Sequence, residues 1–125
     1  MSKRILVIED QEDNRTILRD LLTSVGYELI EATNGEEGVK LAEQEKPDLI
    51  LMDIQLPVID GYEATRRIRV ISELKQTPII AVTSYALSGD EAKAREAGCD
   101  GYVTKPFSPR ALLAKVREYL PGENS

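Results

Sequence analysis

Histidine is absent from the 125 residues. That removes the usual general base near neutral pH and the commonest zinc ligand. A single cysteine, Cys99, excludes an internal disulfide and suits a reducing, cytoplasmic compartment. Long apolar runs are missing. The N-terminus reads Met-Ser-Lys-Arg and then offers only Ile5–Ile8 before Glu9, too short for the core of a signal peptide or for a membrane span. Basic runs are missing too: 16 Lys and Arg stand against 22 Asp and Glu, a net charge of −6. An acidic chain of this kind speaks against nucleic acid and against an anionic membrane surface as partners. There is no G-x-G-x-x-G phosphate fingerprint, no linker, no internal repeat and no low-complexity stretch.

What remains is one domain's worth of chain, 42% apolar, in which short apolar runs alternate with helical patterns. Ile5–Ile8, Leu49–Met52 and Ile79–Val82 are continuous and apolar, as strands buried on both faces are. The mixed segments Tyr27–Thr33 and Gly101–Thr104 suit sheet edges. Between them, Ile17, Leu18, Leu21, Leu22 and Val25 mark the inward face of a first helix that stops at Gly26. Asn34 precedes Glu37 at capping-box spacing. A third helix spans Gly61–Ile71, with Ile68 and Ile71 inward and Arg66, Arg67 and Arg69 around the other side. Ser88 and Glu91 open a fourth that ends near Gly98, and Ser108-Pro109 opens a fifth with Leu113, Val116 and Leu120 inward.

Five β-α units in succession predict an α/β fold: a doubly wound, five-stranded parallel sheet flanked by five helices. Strands one, three and four read as central and two and five as edges, which agrees with the order 2-1-3-4-5 of flavodoxin-like sheets, and that order is adopted from them. The domain is expected to occupy residues 1–120, with 121–125 a short frayed tail.

Ligands of such sheets bind at the carboxyl ends of the strands. Strand one ends in Glu9-Asp10, strand three in Asp53, strand four in Thr83, and strand five just before Lys105. Each alone is unremarkable, since an acid pair after a strand is usually a solvated loop. Five of them meeting at one rim describe a chemistry. Clustered carboxylates call for a hard cation with oxygen ligands, Mg²⁺ or Mn²⁺. Lys105 adds a point charge and Thr83 a hydroxyl donor, which together with the metal cradle a phosphoryl group in transfer. Asp53, at the middle of the rim, is the nucleophile for an aspartyl phosphate.

Over residues 3 to 120 the sequence resembles the receiver domains of bacterial response regulators, and in flavour the stand-alone cell-cycle regulators of the DivK kind. The segments that carry the resemblance are ILVIEDQEDNR, PDLILMDIQLPVIDG, PIIAVTS and AGCDGYVTKPF. The resemblance implies a single-domain response regulator of a two-component system or phosphorelay, a signalling protein that assists its own phosphorylation and dephosphorylation. Asp53 would accept phosphoryl from a phosphohistidine on a sensor histidine kinase or phosphotransfer protein. Asp10, Asp53 and the backbone carbonyl of Gln55 would bind Mg²⁺, and Glu9 would act through a water. Lys105 would meet the phosphoryl oxygens, with its bond to Pro106 cis. Thr83 and Tyr102 would form the switch, and Gln55 and Tyr85 would tune the lifetime of the phosphorylated state. Output would pass through the face of helix four, strand five and helix five, around Leu87 and Tyr102, to an unnamed protein target, the chain being a monomer or weak dimer. One departure is Glu9-Asp10 where Asp-Asp is common, tolerable for a water-mediated contact. Cys99 reads as a small buried apolar residue.

Three rivals share parts of this pattern. A Mg²⁺-dependent phosphohydrolase of the haloacid-dehalogenase type needs an Asp-x-Asp at the end of strand one, which Glu9-Asp10-Gln11-Glu12 lacks. A flavin or nucleotide carrier needs phosphate-binding amides where this acidic loop stands. A binding module independent of phosphorylation would have no use for the full set of five residues.

Overall fold

The computed structural model describes residues 3–84 and 90–120. Eleven elements follow one another: β1 (Arg4–Ile8), α1 (Glu12–Ser24), β2 (Glu28–Ala32), α2 (Gly35–Glu45), β3 (Leu49–Asp53), α3 (Gly61–Arg69), a 3₁₀ turn (Ser72–Leu74), β4 (Ile79–Thr83), α4 (Asp90–Ala97), β5 (Gly101–Thr104) and α5 (Pro109–Tyr119). All strand pairs are parallel, in the order β2-β1-β3-β4-β5.

The continuous apolar runs are explained by what each face meets. Leu6, Ile8, Ile50, Met52, Ile79 and Ala81 point to one side, against Ala42 of α2, Ala64 and Ile68 of α3, and Ala94 of α4. Their alternates Ile5, Val7, Leu49, Leu51, Ile80 and Val82 point to the other, against Leu18 and Leu22 of α1 and Leu112 and Val116 of α5. With both faces covered, every position of β3 and β4 is buried. The mixed strands β2 and β5 are the edges.

Local signals set the helix ends. Asn34 Oδ1 accepts from the Glu37 N–H, while Glu37 Oε1 reaches back to the Thr33 N–H rather than to Asn34. Asp60 and Ser108 cap α3 and α5 in the same way, accepting from the Glu63 and Ala111 N–H groups. Gly98, at φ 116°, takes the left-handed turn after α4. Ser88, expected to open α4, lies outside the described residues, as do Tyr85 and Leu87.

Three expectations are corrected. Ile17 is 52% exposed, because the inward stripe of α1 is narrower than its apolar content and is filled by Leu18 and Leu22. On α5 the fully buried residue is Leu112, with Leu113 at the margin of the core. Successive helical positions differ by about 100°, so two adjacent leucines cannot both face inward fully. Arg69 does not join Arg66 and Arg67 on the outer side. Those two bond Glu63 on the surface, whereas Arg69 turns under the helix end. Among the described residues no helix is long and apolar enough to cross a membrane.

Candidate functional site

Parallel pairing carries the strand ends to a common rim. Asp53 pairs with Val82, and Thr83 with Thr104, which places Lys105 one residue beyond the β5 edge. The Lys105 N–H donates to the Thr83 carbonyl at 2.7 Å, so the loop after β5 is tied to the end of β4. On the far side the Glu9 N–H donates to Ala32 at 3.0 Å. The Arg15 guanidinium, one turn into α1, holds the Glu9 carbonyl at 2.9 Å. The Lys105–Pro106 peptide is cis.

Glu9 and Asp53 are 2% and 3% exposed, and Asp10 is half-buried beside them. Carboxylate oxygens of these three residues lie within 4.8 Å of one another. The Lys105 ammonium stands between the two buried acids, 2.8 Å from Glu9 Oε1 and 3.4 Å from Asp53 Oδ2. Asp53 Oδ1 accepts from the Gln55 N–H at 3.0 Å, and Glu9 Oε2 from the Gln11 N–H at 3.1 Å. The Gln55 carboxamide oxygen in turn accepts from the Ser84 N–H at 3.2 Å, linking the loops after β3 and β4. Thr83 is fully buried at the end of β4.

The electrostatics divide the two buried acids. Burial pushes the Asp53 carboxyl up, the negative charge of Glu9 pushes it further, and the Gln55 N–H and Lys105 offset only part; the result is about 7. Burial also works against ionised Glu9, but the Lys105 and Gln11 hydrogen bonds outweigh it and hold this carboxyl below its ordinary value. Burial opposes the Lys105 ammonium too, yet its bond to Glu9 and the neighbouring acids raise it above the ordinary lysine value. The site therefore carries more negative charge than one ammonium neutralises, and Asp53 bears the excess.

Three carboxylates without imidazole or thiolate form an oxygen donor set, which a hard divalent cation such as Mg²⁺ fits. The lysine contact to Glu9 and the anchoring role of Arg15 are not visible in the sequence, because each depends on how the β1–α1 loop folds back.

The loop after β3 is held by close backbone approach. A side chain on Gly61 would lie 2.5 Å from the Asp53 carbonyl oxygen and 2.6 Å from Ile54 Cα. Only glycine lets α3 begin there. Just before it, the Ile59 N–H donates to the Pro57 carbonyl across Val58, whose φ is 76°. This is a γ-turn of the strained hand, centred on a β-branched residue that is 70% exposed and packs little. Relief of strain by Val58→Gly should exceed the added freedom of the unfolded chain and stabilise by about 1 kcal/mol. A urea midpoint that rises at unchanged slope would show it, and a lower midpoint would refute the strain.

The response regulator receiver domain family model matches residues 5–117. The polar-differentiation response regulator DivK of Brucella anthropi is 43% identical over 120 residues, which cover 96% of this chain and 98% of the relative. Among solved structures, the receiver domain of a sensor histidine kinase from Pseudomonas aeruginosa has a magnesium ion coordinated in its active site cleft. It superposes with a TM-score of 0.90 at 38% identity, covering 98% of this chain and all of that one (100%). Chemotaxis protein CheY4 of Vibrio cholerae gives 0.91 at 28% identity, with 95% and 99% covered.

Proposed function

The chain belongs to the response regulator receiver domain family, and from that we propose that it is a single-domain response regulator whose Asp53 accepts a phosphoryl group. The observation that carries this reading is one nearly hidden carboxylate at a strand end, 3.4 Å from an ammonium and clustered with two further acids. The receiver would occupy residues 1–120, and the donor would be a phosphohistidine on a sensor kinase or phosphotransfer protein.

Asp10, Asp53 and the Gln55 carbonyl would hold Mg²⁺, with Glu9 contributing through a water. When bound, the cation supplies positive charge against the phosphoryl oxygens. The chain's own groups do the rest. An Asp53 carboxylate oxygen attacks phosphorus as the bond from phosphorus to the donor's ring nitrogen breaks, the electron pair staying on that nitrogen, and the N–H contact from Gln55 orients the carboxylate. Lys105 shifts from Glu9 towards the new phosphoryl oxygens, a short movement for a flexible side chain already between them. The Thr83 hydroxyl turns to the phosphoryl group and leaves space on its side of the sheet. Tyr102 pairs with Ala81, two residues before Thr83 on the same face, and its half-buried ring packs against that side of the core. That position supports reading Tyr102 as the group that moves inward and alters the α4–β5–α5 face.

The test is the intact mass after incubation with acetyl phosphate, with and without Mg²⁺. A Mg²⁺-dependent gain of one phosphoryl group, mapped to Asp53 by borohydride reduction of the acyl phosphate, is expected. No gain in a folded protein would favour a binding module independent of phosphorylation.

Two further outcomes follow from the site. Because the Asp53 carboxyl sits at about 7, a proton competes with the cation, and Mg²⁺ affinity should fall up to about tenfold per pH unit below neutrality. Asp10→Ala should weaken binding by about tenfold or more at pH 8. Calorimetric titration reads both, and an unaltered Asp10→Ala isotherm would remove that ligand. Thr83→Ala should still take up phosphoryl but lose the shift of the Tyr102 ring resonances that accompanies it in the wild type. A retained shift would uncouple the two residues.

A further inference from the structure

Helices α1 and α5 cover the same side of the sheet and present an outer face to solvent. In right-handed β-α units every helix runs back against its strands, so both start at the rim and point the same way. On α1, Leu18 and Leu22 face the core while Arg15 and Arg19 turn to Glu31 on β2. At about 100° per residue, Ile17 and Leu21 then fall on the flank turned away from β2, towards α5. Ile17 stands 52% exposed there, on the wall of a cavity of about 430 Å³ that continues to Pro106 and Phe107. On α5, Leu112 and Val116 face the core, and the Tyr119 hydroxyl donates to the Asp100 carbonyl before β5. That leaves Leu113, Arg110 and Arg117 on the flank turned to α1. The Arg117 charge accordingly reaches the buried phenol of Tyr27, just past the end of α1. Along the outside of this apolar seam the charges are sorted by sign. Asp13 and Asp20 stand exposed on α1, Arg110 and Arg117 on α5, and among the described residues none of the four has an ion-pair partner.

We propose that this face binds a second copy of the same chain, with α1 of each copy lying along α5 of the other. Register is what selects a second copy. Asp13 and Asp20 are the second and ninth residues of α1, and Arg110 and Arg117 the second and ninth of α5. Each pair spans about 10 Å along its helix, at a similar depth below the rim. A two-fold axis parallel to the helices lays α1 over α5 of the other copy in the same direction. Asp13 then meets Arg110 and Asp20 meets Arg117 across the interface, each contact made twice, with Ile17, Leu21 and Leu113 closed beneath them. An axis across the helices would instead set α1 on α1, acid against acid. The face is small. Two helices about 20 Å long and about 10 Å apart offer about 400 Å² per copy, about half of a standard interface, so the dimer is weak, with a Kd on the order of 100 μM. It covers the mouth of the cavity, and it forms whether or not Asp53 accepts a phosphoryl group.

Sedimentation equilibrium on the whole chain, without phosphoryl donor or Mg²⁺, tests this. Wild type should show a monomer–dimer equilibrium below about 1 mM. Asp20→Arg and Arg117→Asp, both at exposed positions, should each set like charges against one another at two symmetric contacts and weaken the dimer about tenfold or more. Mixed in equal amounts, the two variants should associate again to within about threefold of wild type, because each reversed residue then meets the other and the second contact is the native one. A monomer at every concentration would overturn the assignment of this face. So would a dimer that neither substitution weakens, which forms through another surface. Loss in both variants without recovery in the mixture would overturn the two-fold register and the proposal with it.

Discussion

Asp53→Asn should abolish phosphoryl uptake from every donor and, in metal-free buffer at pH 8, make the protein more stable by about 2–4 kcal/mol. The first effect follows from removing the nucleophile proposed above. The second follows from what the ionised carboxylate costs the fold. Burial and the charge of Glu9 raise the Asp53 carboxyl from 3.8 to about 7 in the folded chain. Below pH 4 it is protonated in both folded and unfolded states and carries no penalty. As the pH climbs from 4 to 7 the unfolded chain releases this proton while the folded one retains it, and that stability is progressively lost. Above 7 the full penalty stands. An amide in the same place keeps the Gln55 N–H contact and cannot ionise, so the variant escapes the loss and leaves Lys105 to Glu9. Glu9 works in the opposite sense. Its depressed value contributes stability above its ordinary titration range, lost only in acid, and it does so in both proteins. Urea midpoints of the two chains in chelator should thus converge near pH 4 and separate towards pH 8. Saturating Mg²⁺ should stabilise the wild type more and narrow the gap. A variant less stable than wild type at pH 8 would mean that the carboxylate is held at no cost.

The rim was legible because its residues terminate apolar runs. Asp53 ends Leu49–Met52 and Lys105 follows Gly101–Thr104, and a parallel sheet carries such ends together whatever the loops do. The division into central and edge strands was legible for a related reason, since continuous and mixed strands sort by composition, while the order among the central three came from the likeness to flavodoxin-like sheets. What stayed hidden depended on directions that periodicity does not encode. Leu112 and Leu113 are equally apolar, and only packing into the core on the α1–α5 side of the sheet decides between them. Ile17 belongs by type to the core and by position to the cavity wall. Val58 is among the last residues one would assign a positive φ, and only the short path from Pro57 to Gly61 forces it. The Lys105–Glu9 pair joins residues 96 positions apart, and nothing in either neighbourhood announces it.

Arg69 is the largest of these omissions, and Arg69→Ala should cost about 3–5 kcal/mol, a sizeable share of what a domain of this size possesses. Three arginines close α3, and sequence pattern treats them alike. In the fold, Arg69 is 17% exposed and its guanidinium fastens four segments. Nε donates to the Gly98 carbonyl at 2.9 Å. Nη1 donates to those of Leu74 and Thr77 at 2.9 and 2.7 Å, with Lys75 at 3.2 Å. Nη2 meets Asp100 Oδ2 at 2.7 Å, the oxygen that also accepts from the Ile79 N–H. Removing the side chain strands these carbonyls at the entry to β4 and β5, where the turn after α3 and the end of α4 converge. Charge-assisted bonds of this kind contribute about 1.5–3 kcal/mol each when partners have no substitute. Arg69→Lys should recover little, since one ammonium cannot span a planar fork. Chemical denaturation reads the loss, and a change below about 1 kcal/mol would show that the network is ornamental. The knot sits at the opposite end of the strands from Asp53, about 15 Å away by strand rise. The gain from Asp53→Asn and the loss from Arg69→Ala should therefore add to within about 0.5 kcal/mol in the double variant. A larger departure would mean that the base of α4 and the rim around Asp53 are energetically coupled through the sheet.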